Sequence, residues 1–408
     1  MEPASPGMPF PLTRIFRWTA SFGILRELAW FIPFASIGLI VLALTRPSPQ
    51  FPAPARSHTV IDGSGAPVRI GQPFQGAVMT WGPGFYTDAF LEATVAPEAL
   101  ARAGTARERG DFAKRIWSRI FPQVLKQDSL WDSGIMTYQK GPDAGVEGLL
   151  ALDAGVFFGN RHGPARLTRQ IGIPTLLFST QGNGNWDDFL RAAARMVAEV
   201  SGHPERAEAL IEQNRQAYRE LAAELGAVPE ARQPCVLIMG TSSPYYVKSF
   251  NNDYQYYLPP AQVRNATVGL TGQRQDAERI LAMDPDFIFL MAGGGASPQE
   301  FMANPLWRGL KAVRAKRVYR MLGARGGGLL GLTYQPISVR WMAEITHPDR
   351  LQPKVRELLR DAYVSRFGYS MSDAEIDADL HLDANLGSAG YGRFARDAFS
   401  VHKQSAPQ

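Results

Sequence analysis

The chain has 408 residues, a hydrophobic fraction of 45% and a formal net charge of +5. This length allows two domains, and this composition supplies enough apolar side chains for two buried cores. Residues 1–57 carry more than half of the surplus positive charge, and no basic run has interleaved aromatics, which argues against a nucleic acid partner. The single cysteine, Cys235, lies in the apolar run CVLIMG, so a disulfide framework and a cysteine-based metal site are excluded.

The N-terminal region predicts a membrane segment. Residues 28–45 contain no charged side chain, and a helix of this length would span about 27 Å, enough to cross a bilayer core. Arg14, Arg17 and Arg26 precede it, so the positive-inside rule exports everything that follows. This pattern favours an uncleaved anchor, with a cleaved signal as the alternative. The Pro-rich residues 46–57 predict an extended spacer.

A first α/β block follows the spacer. Apolar runs at 74–80, 154–159 and 173–179 predict strands, and residues 165–172 between the last two predict a helix. Strands that alternate with helices indicate a parallel sheet with helices on its faces.

A second block repeats this order. The runs 234–241, 286–292 and 316–321 predict strands, and 276–283 and 299–310 predict the helices between them. The two blocks together predict an α/β protein with two three-layer lobes and mainly parallel sheets.

The blocks also share a sequence repeat. GVEGLLALDAGVFFG in the first block aligns with DAERILAMDPDFIFLM in the second, so that Glu147 matches Glu278 and Phe158 matches Phe289. Each copy predicts a short helix followed by a buried strand. The glutamate is expected on the exposed side of that helix, with the apolar residues three and five positions later facing the sheet.

Long helices are predicted between and after the blocks. Residues 186–200 form one, and Pro204 begins a second that ends near Leu225, with Gly226 as its stop. The second helix is about 33 Å long, so it would act as a rigid strut between the lobes. Its apolar stripe comprises Ala207, Leu210, Ile211, Tyr218, Leu221, Ala222 and Leu225. Helices are also expected near 335–345, over 354–368, and after Ser372, where Glu375 completes a capping box.

These elements divide the chain into six segments. They are an anchor or signal with its spacer (1–57), an N-terminal lobe (58–183), connecting helices including 204–225 (184–232), a C-terminal lobe (233–345), closing helices (346–383) and a loose tail (384–408).

The order and spacing of these motifs resemble the substrate-binding proteins of bacterial importers for iron-siderophores, haem and cobalamin. The resemblance covers about residues 58–383 and includes HTVIDGSGAPVRI, both copies of the repeat, SGHPERAEALIEQNRQAYRELAAEL, NPLWRGLKAVRAKRVYRM and PISVRWMAEITHPDRLQ. It implies a class III periplasmic binding protein-like fold, with two lobes joined by one rigid helix. It also implies a monomer in the periplasm that delivers a metal chelate to an ABC permease, with no cofactor of its own.

The ligand is expected beyond the carboxyl ends of the strands, where the loops of the two lobes face each other. Aromatic groups there suit a planar or catecholate-like ligand, and arginines suit an anionic chelate. The candidate ligand residues are Trp81, Tyr86, Arg161, Tyr245, Tyr246, Arg325 and Tyr334. The six scattered histidines show no metal-ligand spacing, so the cargo is expected to be a chelate and not a bare ion.

An acidic residue on each lobe of such proteins is thought to bind arginines of the permease. Glu278 stands where the resemblance places the C-terminal acid, and Glu147 is its counterpart in the repeat. Some family members carry the N-terminal acid in the loop after the strand, where this chain has the basic stretch GNRHGPAR.

Two other classes of function are weighed against the importer. The sequence contains no G-x-S-x-G, H-E-x-x-H or P-loop motif, so an enzyme is not predicted. A membrane-anchored sensor or scaffold that uses the same cleft without transport remains an alternative.

Overall fold

The computed structural model of the chain describes these residues: 56–72, 77–79, 100–102, 116–120, 122, 155–159, 169, 172–177, 186–241, 245–247, 258–270, 274–291, 295–322, 332 and 334–396. The chain divides into two units, Met1–Phe51 and Pro52–Gln408, and the described residues all belong to the second. The predicted membrane segment 28–45 lies outside the described residues. No helix within them is long and apolar enough to cross a bilayer.

Twelve strands lie within the described residues. They are β1 (Arg56–Ile61), β2 (Pro67–Gln72), β3 (Ala77–Met79), β4 (Leu100–Arg102), β5 (Val156–Gly159), β6 (Thr175–Leu177), β7 (Cys235–Met239), β8 (Tyr245–Tyr246), β9 (Arg264–Asn265), β10 (Arg274–Gln275), β11 (Phe287–Leu290) and β12 (Val318–Arg320).

The described helices are α1 (Trp117–Ile120), α2 (Trp186–Ser201), α3 (Pro204–Leu225), α4 (Ala277–Met283), α5 (Pro298–Ala303), α6 (Lys311–Arg314), α7 (Tyr334–Thr346), α8 (Val355–Phe367), α9 (Asp373–Asp379) and α10 (Leu382–Asn385). Single 3₁₀ turns occur at Glu230–Arg232, Pro259–Ala261, Pro305–Trp307 and Tyr391–Phe394.

Two separate four-stranded sheets form the framework. The first has the order β4-β3-β5-β6 and the second the order β12-β11-β7-β9, and every neighbouring pair in both is parallel. Parallel sheets are covered on both faces, which explains the continuous apolar runs that predicted their strands. Among the described strands no pairing joins the two sheets. The predicted fold class, with a parallel sheet in each of two blocks, is therefore confirmed.

The second sheet lies between two hydrophobic layers. Alternate residues of β7 and β11 point to opposite faces and so enter different clusters. Val236, Ile238, Phe287 and Phe289 join the larger cluster, which includes Trp341 of α7. The other face packs against α4, α5 and the segment around α6, through Leu237, Met239, Ile288, Leu290, Ile280, Phe301, Trp307 and Leu310.

Where it is described, the sequence repeat has the predicted buried strand and exposed glutamate, but the buried face of its helix is shifted from the predicted one. Phe158 in β5 and Phe289 in β11 are both buried and occupy equivalent central strands. Glu278 is exposed in the first turn of α4. The one fully buried residue of α4 is Ile280, two positions after Glu278, whereas Leu281 is only partly buried. Glu147 lies outside the described residues.

The helix α3 has the predicted bounds and connects the two halves of the chain. Its buried face resembles the predicted stripe, except that Ala222 is exposed and Asn214 is buried. Asn214 tolerates burial because its Nδ2 donates a 2.8 Å hydrogen bond to the carbonyl of Leu332. A polar residue inside an apolar stripe cannot be assigned to the core from sequence spacing alone.

An ion cluster with two buried and two exposed members joins α3 to α7. Arg340 is 5% exposed, and its Nε lies 2.6 Å from Glu344 Oε1 while its Nη1 lies 2.8 Å from Glu224 Oε2 at the end of α3. Lys354 Nζ also reaches Glu224, at 2.8 Å. Burial raises the pKa of Glu344, and the adjacent Arg340 opposes that rise. We call Arg340, Glu344, Glu224 and Lys354 the strut cluster.

Residues 384–396, which the sequence assigned to a loose tail, are packed onto the second sheet. Tyr391 and Phe394 are fully buried. The side chain of Asn385 accepts from the amide of Arg320 at 2.6 Å and donates to its carbonyl at 3.0 Å. The sequence does not indicate this packing, because the two buried aromatics are separated by Gly392 and Arg393 and show no helical or strand period.

Candidate functional site

The edge of the second sheet where the ligand is predicted is formed by the carboxyl ends of three strands. β7 ends at Met239, β11 at Leu290 and β12 at Arg320, and because the strands are parallel these ends share one edge. Parts of two predicted ligand loops are described at this edge, residues 245–247 and 295–297. We refer to this edge and its loops as the C-lobe rim.

Arg320 holds the loop after β11 in place. Its Nη1 lies 3.3 Å from the carbonyl oxygen of Met291, and its Nη2 lies 2.7 Å from the carbonyl of Ala296 and 3.5 Å from that of Gly295. Burial lowers the pKa of the Arg320 guanidinium, and the charge of Glu300 opposes this effect. An arginine stays protonated at physiological pH, so the rim keeps a fixed positive charge at the end of β12.

Gly295 and Thr241 join two loops of the rim. Thr241 Oγ1 accepts a 3.0 Å hydrogen bond from the amide of Ala296. Gly295 has φ +93°, and a Cβ placed there would lie 1.8 Å from Thr241 Oγ1. Only glycine combines this backbone conformation with this close approach. Thr241 after β7 and residues 295–296 after β11 are therefore in direct contact.

The two predicted tyrosines after β7 have different surroundings. The ring of Tyr245 meets the edge of Trp307 at a centroid distance of 5.0 Å, and it packs against the smaller hydrophobic cluster. Tyr246 is half-buried, and its Cβ would lie 3.7 Å from a Cβ added at Gly240, at the end of β7. The rim therefore includes Tyr246, whereas the ring of Tyr245 packs against the hydrophobic cluster next to the rim.

Tyr334 lies in the core at the start of α7. It is 7% exposed, and its hydroxyl contacts the hydroxyl of Tyr363 and hydrogen-bonds to the carboxyl group of Asp379. Its ring also meets the ring of Tyr363 edge-on, at 5.9 Å. Because both ends of this side chain are engaged within the protein, we omit Tyr334 from the proposed ligand contacts below.

The cluster around Tyr334 makes a prediction about pH. Burial raises the pKa of Asp379 to about 7, and the hydrogen bond from Tyr334 opposes the rise. Asp379 Oδ2 is buried without a hydrogen-bond partner. A carboxyl group whose pKa is higher in the folded state than its ~3.9 in the unfolded chain contributes stability in its protonated form. That contribution is complete below about pH 4 and is lost as the pH rises through about 7.

As the pH rises from about 4 to 7, the free energy of unfolding of the natural chain should therefore fall relative to that of Asp379→Asn. Urea denaturation of both proteins across this pH range measures the difference. Because part of Asp379 reaches solvent, the relative slope should be below the full ~1.4 kcal/mol per pH unit. The exposed Asp383→Asn serves as the control and should not change the slope. Equal pH profiles for the natural chain and Asp379→Asn would contradict the assignment.

The remaining predicted site residues are only partly covered by the structure. Trp81, Tyr86, Arg161, Arg325 and Glu147 lie outside the described residues, so their roles stay predictions. Glu278 is exposed at the start of α4, where the side chain of Asp276 caps the helix by accepting from the amide of Arg279.

The first sheet has its own ordered feature at the equivalent edge. The turn between β1 and β2 is closed by buried Asp62, whose Oδ1 accepts from the amides of Ser64 at 2.8 Å and Ala66 at 3.0 Å. Its Oδ2 accepts from the amide of Leu177 at 3.2 Å, and the amide of Gly63 donates to the Leu177 carbonyl. The hairpin is thereby fixed to the carboxyl end of β6.

The described residues contain no group of three or more His, Cys, Asp or Glu side chains that could hold a metal ion. Cys235, at the start of β7, is a free half-buried thiol whose pKa is raised by burial. The prediction that the cargo is a chelate rather than a bare ion remains a prediction.

Three residues shape the rim without an individual role predicted from the sequence: Arg320, and Thr241 and Gly295 within the predicted ligand loops. Gly295 ends the GGG run of residues 293–295, which marks a loop without showing which glycine the conformation requires. Arg320 was read as part of a strand, and the three carbonyls that it binds become visible only when the strands are assembled.

Comparisons with known proteins give the same fold. Residues 146–323 match the family described as periplasmic binding protein, a region that runs from the first copy of the repeat to the end of the second sheet. The predicted family resemblance is confirmed. No curated protein matches the sequence.

Several solved periplasmic binding proteins share the fold over nearly their whole length. A periplasmic solute binding protein from Veillonella parvula is 19% identical, with a TM-score of 0.67, covering 81% of this chain and 99% of that one. MolA from Haemophilus influenzae, solved with molybdate, is 17% identical, with a TM-score of 0.62, covering 77% and 99%. CeuE from Helicobacter pylori, solved with Ni(II), is 14% identical, with a TM-score of 0.61, covering 79% and 99%.

Proposed function

We propose that this protein is the extracytoplasmic solute-binding component of an ABC importer. It captures a metal chelate, namely a ferric siderophore, haem or a corrinoid, between its two lobes. The observation that supports this most is the pair of separate parallel sheets connected through α3, with a preorganised rim at the carboxyl ends of the second sheet. The solved neighbours with molybdate and with Ni(II) show that the same fold accepts metal-containing ligands in other proteins.

The rim chemistry suits a flat, anionic ligand. Tyr246 offers an aromatic side chain next to the end of β7, and Arg320 adds a positive charge at the end of β12. A stacked aromatic contact contributes about 0.5–1.5 kcal/mol beyond the area it buries, and a cation favours the negative charge of a catecholate or carboxylate chelate. Trp81, Tyr86, Arg161 and Arg325 are proposed to complete the site.

The test is titration of the purified full-length chain in detergent with a ferric catecholate siderophore, haemin and a corrinoid, followed by tryptophan fluorescence. One of the three should quench the fluorescence with micromolar or tighter affinity. Tyr246→Ala should weaken that affinity about tenfold, because it removes the ring, whereas Tyr246→Phe should stay within about twofold. Absence of quenching by all three ligands would exclude the proposed ligand class.

Glu278 is proposed to bind an arginine of the permease. Glu278 is exposed, and it lies in the first turn of α4, within the second copy of the repeat. An exposed ion pair contributes about 0.2–1 kcal/mol, so Glu278→Gln should lower uptake in cells severalfold and leave ligand affinity unchanged. The matched control is Glu220→Gln on the exposed face of α3. Equal uptake by the natural chain and Glu278→Gln would remove this residue from the interface.

A membrane-anchored sensor or scaffold is the second candidate, favoured by the predicted uncleaved segment 28–45. In that case the chelate would bind with the same affinity, but deletion of the gene would leave uptake of the labelled chelate unchanged. The importer predicts loss of uptake.

A further inference from the structure

We infer that the second lobe carries a separate pocket for a small polyanion, at the edge of the sheet opposite the rim. A cavity of about 500 Å³ opens there. It is lined by Pro234 before β7, Asp286 before β11, Arg317 before β12 and Arg264, the first residue of β9. These are the amino ends of all four strands, whereas the chelate site is proposed at their carboxyl ends. A volume of this size is typical of small-molecule sites.

Four arginines line this cavity, which we call the arginine pocket. They are Arg232, Arg264, Arg317 and Arg393. Within the described residues none of the four forms an ion pair, although Arg195, Arg219, Arg340, Arg356 and Arg360 all do. A set of unpaired cations around one cavity leaves positive charge available for a ligand.

Two of these arginines are held so that their remaining donors stay free. The Arg317 guanidinium lies over the ring of Phe287, with Cζ 4.9 Å from its centroid, a cation–π contact that uses none of its N–H groups. Within the part of the chain that the structure describes, Arg264 donates only its Nε, to the carbonyl of Gln233 at 3.0 Å. Their terminal N–H groups can therefore bind carboxylate or phosphate oxygens in the two-pronged geometry that arginine favours.

Arg393 forms the opposite wall. Its terminal nitrogens donate to the carbonyls of Glu344, Pro348 and Leu351, so its orientation is fixed while its charge remains beside the cavity. Of the three lining carboxylates, Glu344 is neutralised by Arg340 behind the wall. The lining therefore combines four arginines with the two carboxylates of Asp286 and Asp349.

The chemistry of this lining points to a ligand with two or more oxyanion groups, either carboxylates or phosphates. One group would bind between Arg264 and Arg317, and the net positive lining would favour a second. The buried rings of Phe287 and Tyr319 stack at a centroid distance of 6.4 Å and form an apolar base of the pocket. An apolar base favours binding of a small organic anion over binding of a hydrated inorganic ion.

The test is isothermal titration of the full-length chain in low-salt, metal-free buffer with two probes. Tricarballylate represents a carboxylate source and pyrophosphate a phosphate source. We expect saturable binding of at least one probe, and the responding probe identifies the source. Propane-1,2,3-tricarboxamide, which has the shape of tricarballylate without its charge, should not bind. Affinity should fall as ionic strength rises, because three of the four lining arginines are exposed to solvent.

The double variant Arg264→Ala/Arg317→Ala should weaken the anion at least tenfold. The matched control is Arg308→Ala, an exposed arginine of the same lobe outside the pocket, which should keep the natural affinity within about twofold. Circular dichroism should show all variants folded, since the three side chains are exposed. Chelate affinity measured by fluorescence should be unchanged in the double variant, so this pocket and the chelate site are tested independently.

Failure of both anions to bind saturably would overturn the pocket assignment. Equal binding of the neutral amide, or an equal loss in Arg308→Ala, would overturn it as well, because the arginines at the strand ends would then not be the recognition elements.

Discussion

Arg340→Met is expected to lower the free energy of unfolding by about 3–5 kcal/mol, measured by urea denaturation at pH 8. The substitution keeps an unbranched apolar stem but removes the cation that faces buried Glu344. An unpaired buried carboxylate is far more costly than the loss of an exposed ion pair. The damage should be smaller at pH 5 than at pH 8, because burial already raises the pKa of Glu344 and protonation removes its charge.

The double variant Arg340→Met/Glu344→Leu distinguishes a charge effect from a packing effect. Replacing both members of a buried pair by apolar residues is often close to neutral, so this variant should recover most of the lost stability. Arg219→Ala, which breaks an exposed pair with Glu212 on α3, is the control and should cost less than about 1 kcal/mol. A similar cost for Arg340→Met and Arg219→Ala would show that the strut cluster contributes no more than a surface contact.

Gly295→Ala is expected to weaken chelate binding more than tenfold and to destabilise the second lobe by about 2 kcal/mol or more. The new Cβ would lie 1.8 Å from Thr241 Oγ1, so the loop after β11 must move away from the loop after β7. The measurements are fluorescence titration with the bound chelate and urea denaturation.

Two further variants separate the clash from the backbone strain. Gly269→Ala introduces the same strain, since Gly269 has φ +80°, but has open space around its Cβ and should cost only about 1 kcal/mol. Thr241→Ala/Gly295→Ala removes the clashing oxygen and should regain part of the chelate affinity. If Gly295→Ala bound the chelate as tightly as the natural chain, the joined loops of the rim would have no role in recognition.

The sequence predicts the framework of this fold well and the details of the rim less well. Apolar runs located the central strands β5, β7 and β11, because a strand buried on both faces needs a continuous apolar segment. The bounds of α3 also follow from the sequence, since proline and glycine mark its ends. Local signals of this kind depend only on neighbours in the chain.

Contacts between distant segments account for most of what the sequence does not predict. Tyr334 was expected in the ligand site because it follows a glycine-rich loop, but its hydroxyl contacts Tyr363, which lies on another helix. The placement of Tyr245 against Trp307 and of Arg320 against Ala296 likewise depends on pairs far apart in sequence. Aromatic and arginine side chains serve equally well in packing, in loop support and in ligand binding, and only the assembled strands distinguish these uses.

The packing of residues 385–389 along β12 has a practical consequence. Ala389 donates its amide to the carbonyl of Lys316, and Asn385 occupies the amide and carbonyl of Arg320. These bonds occupy an outer strand that would otherwise present unpaired backbone groups to other molecules. A chain shortened before residue 385 would expose that strand and invite intermolecular pairing, so purification tags belong beyond Arg396.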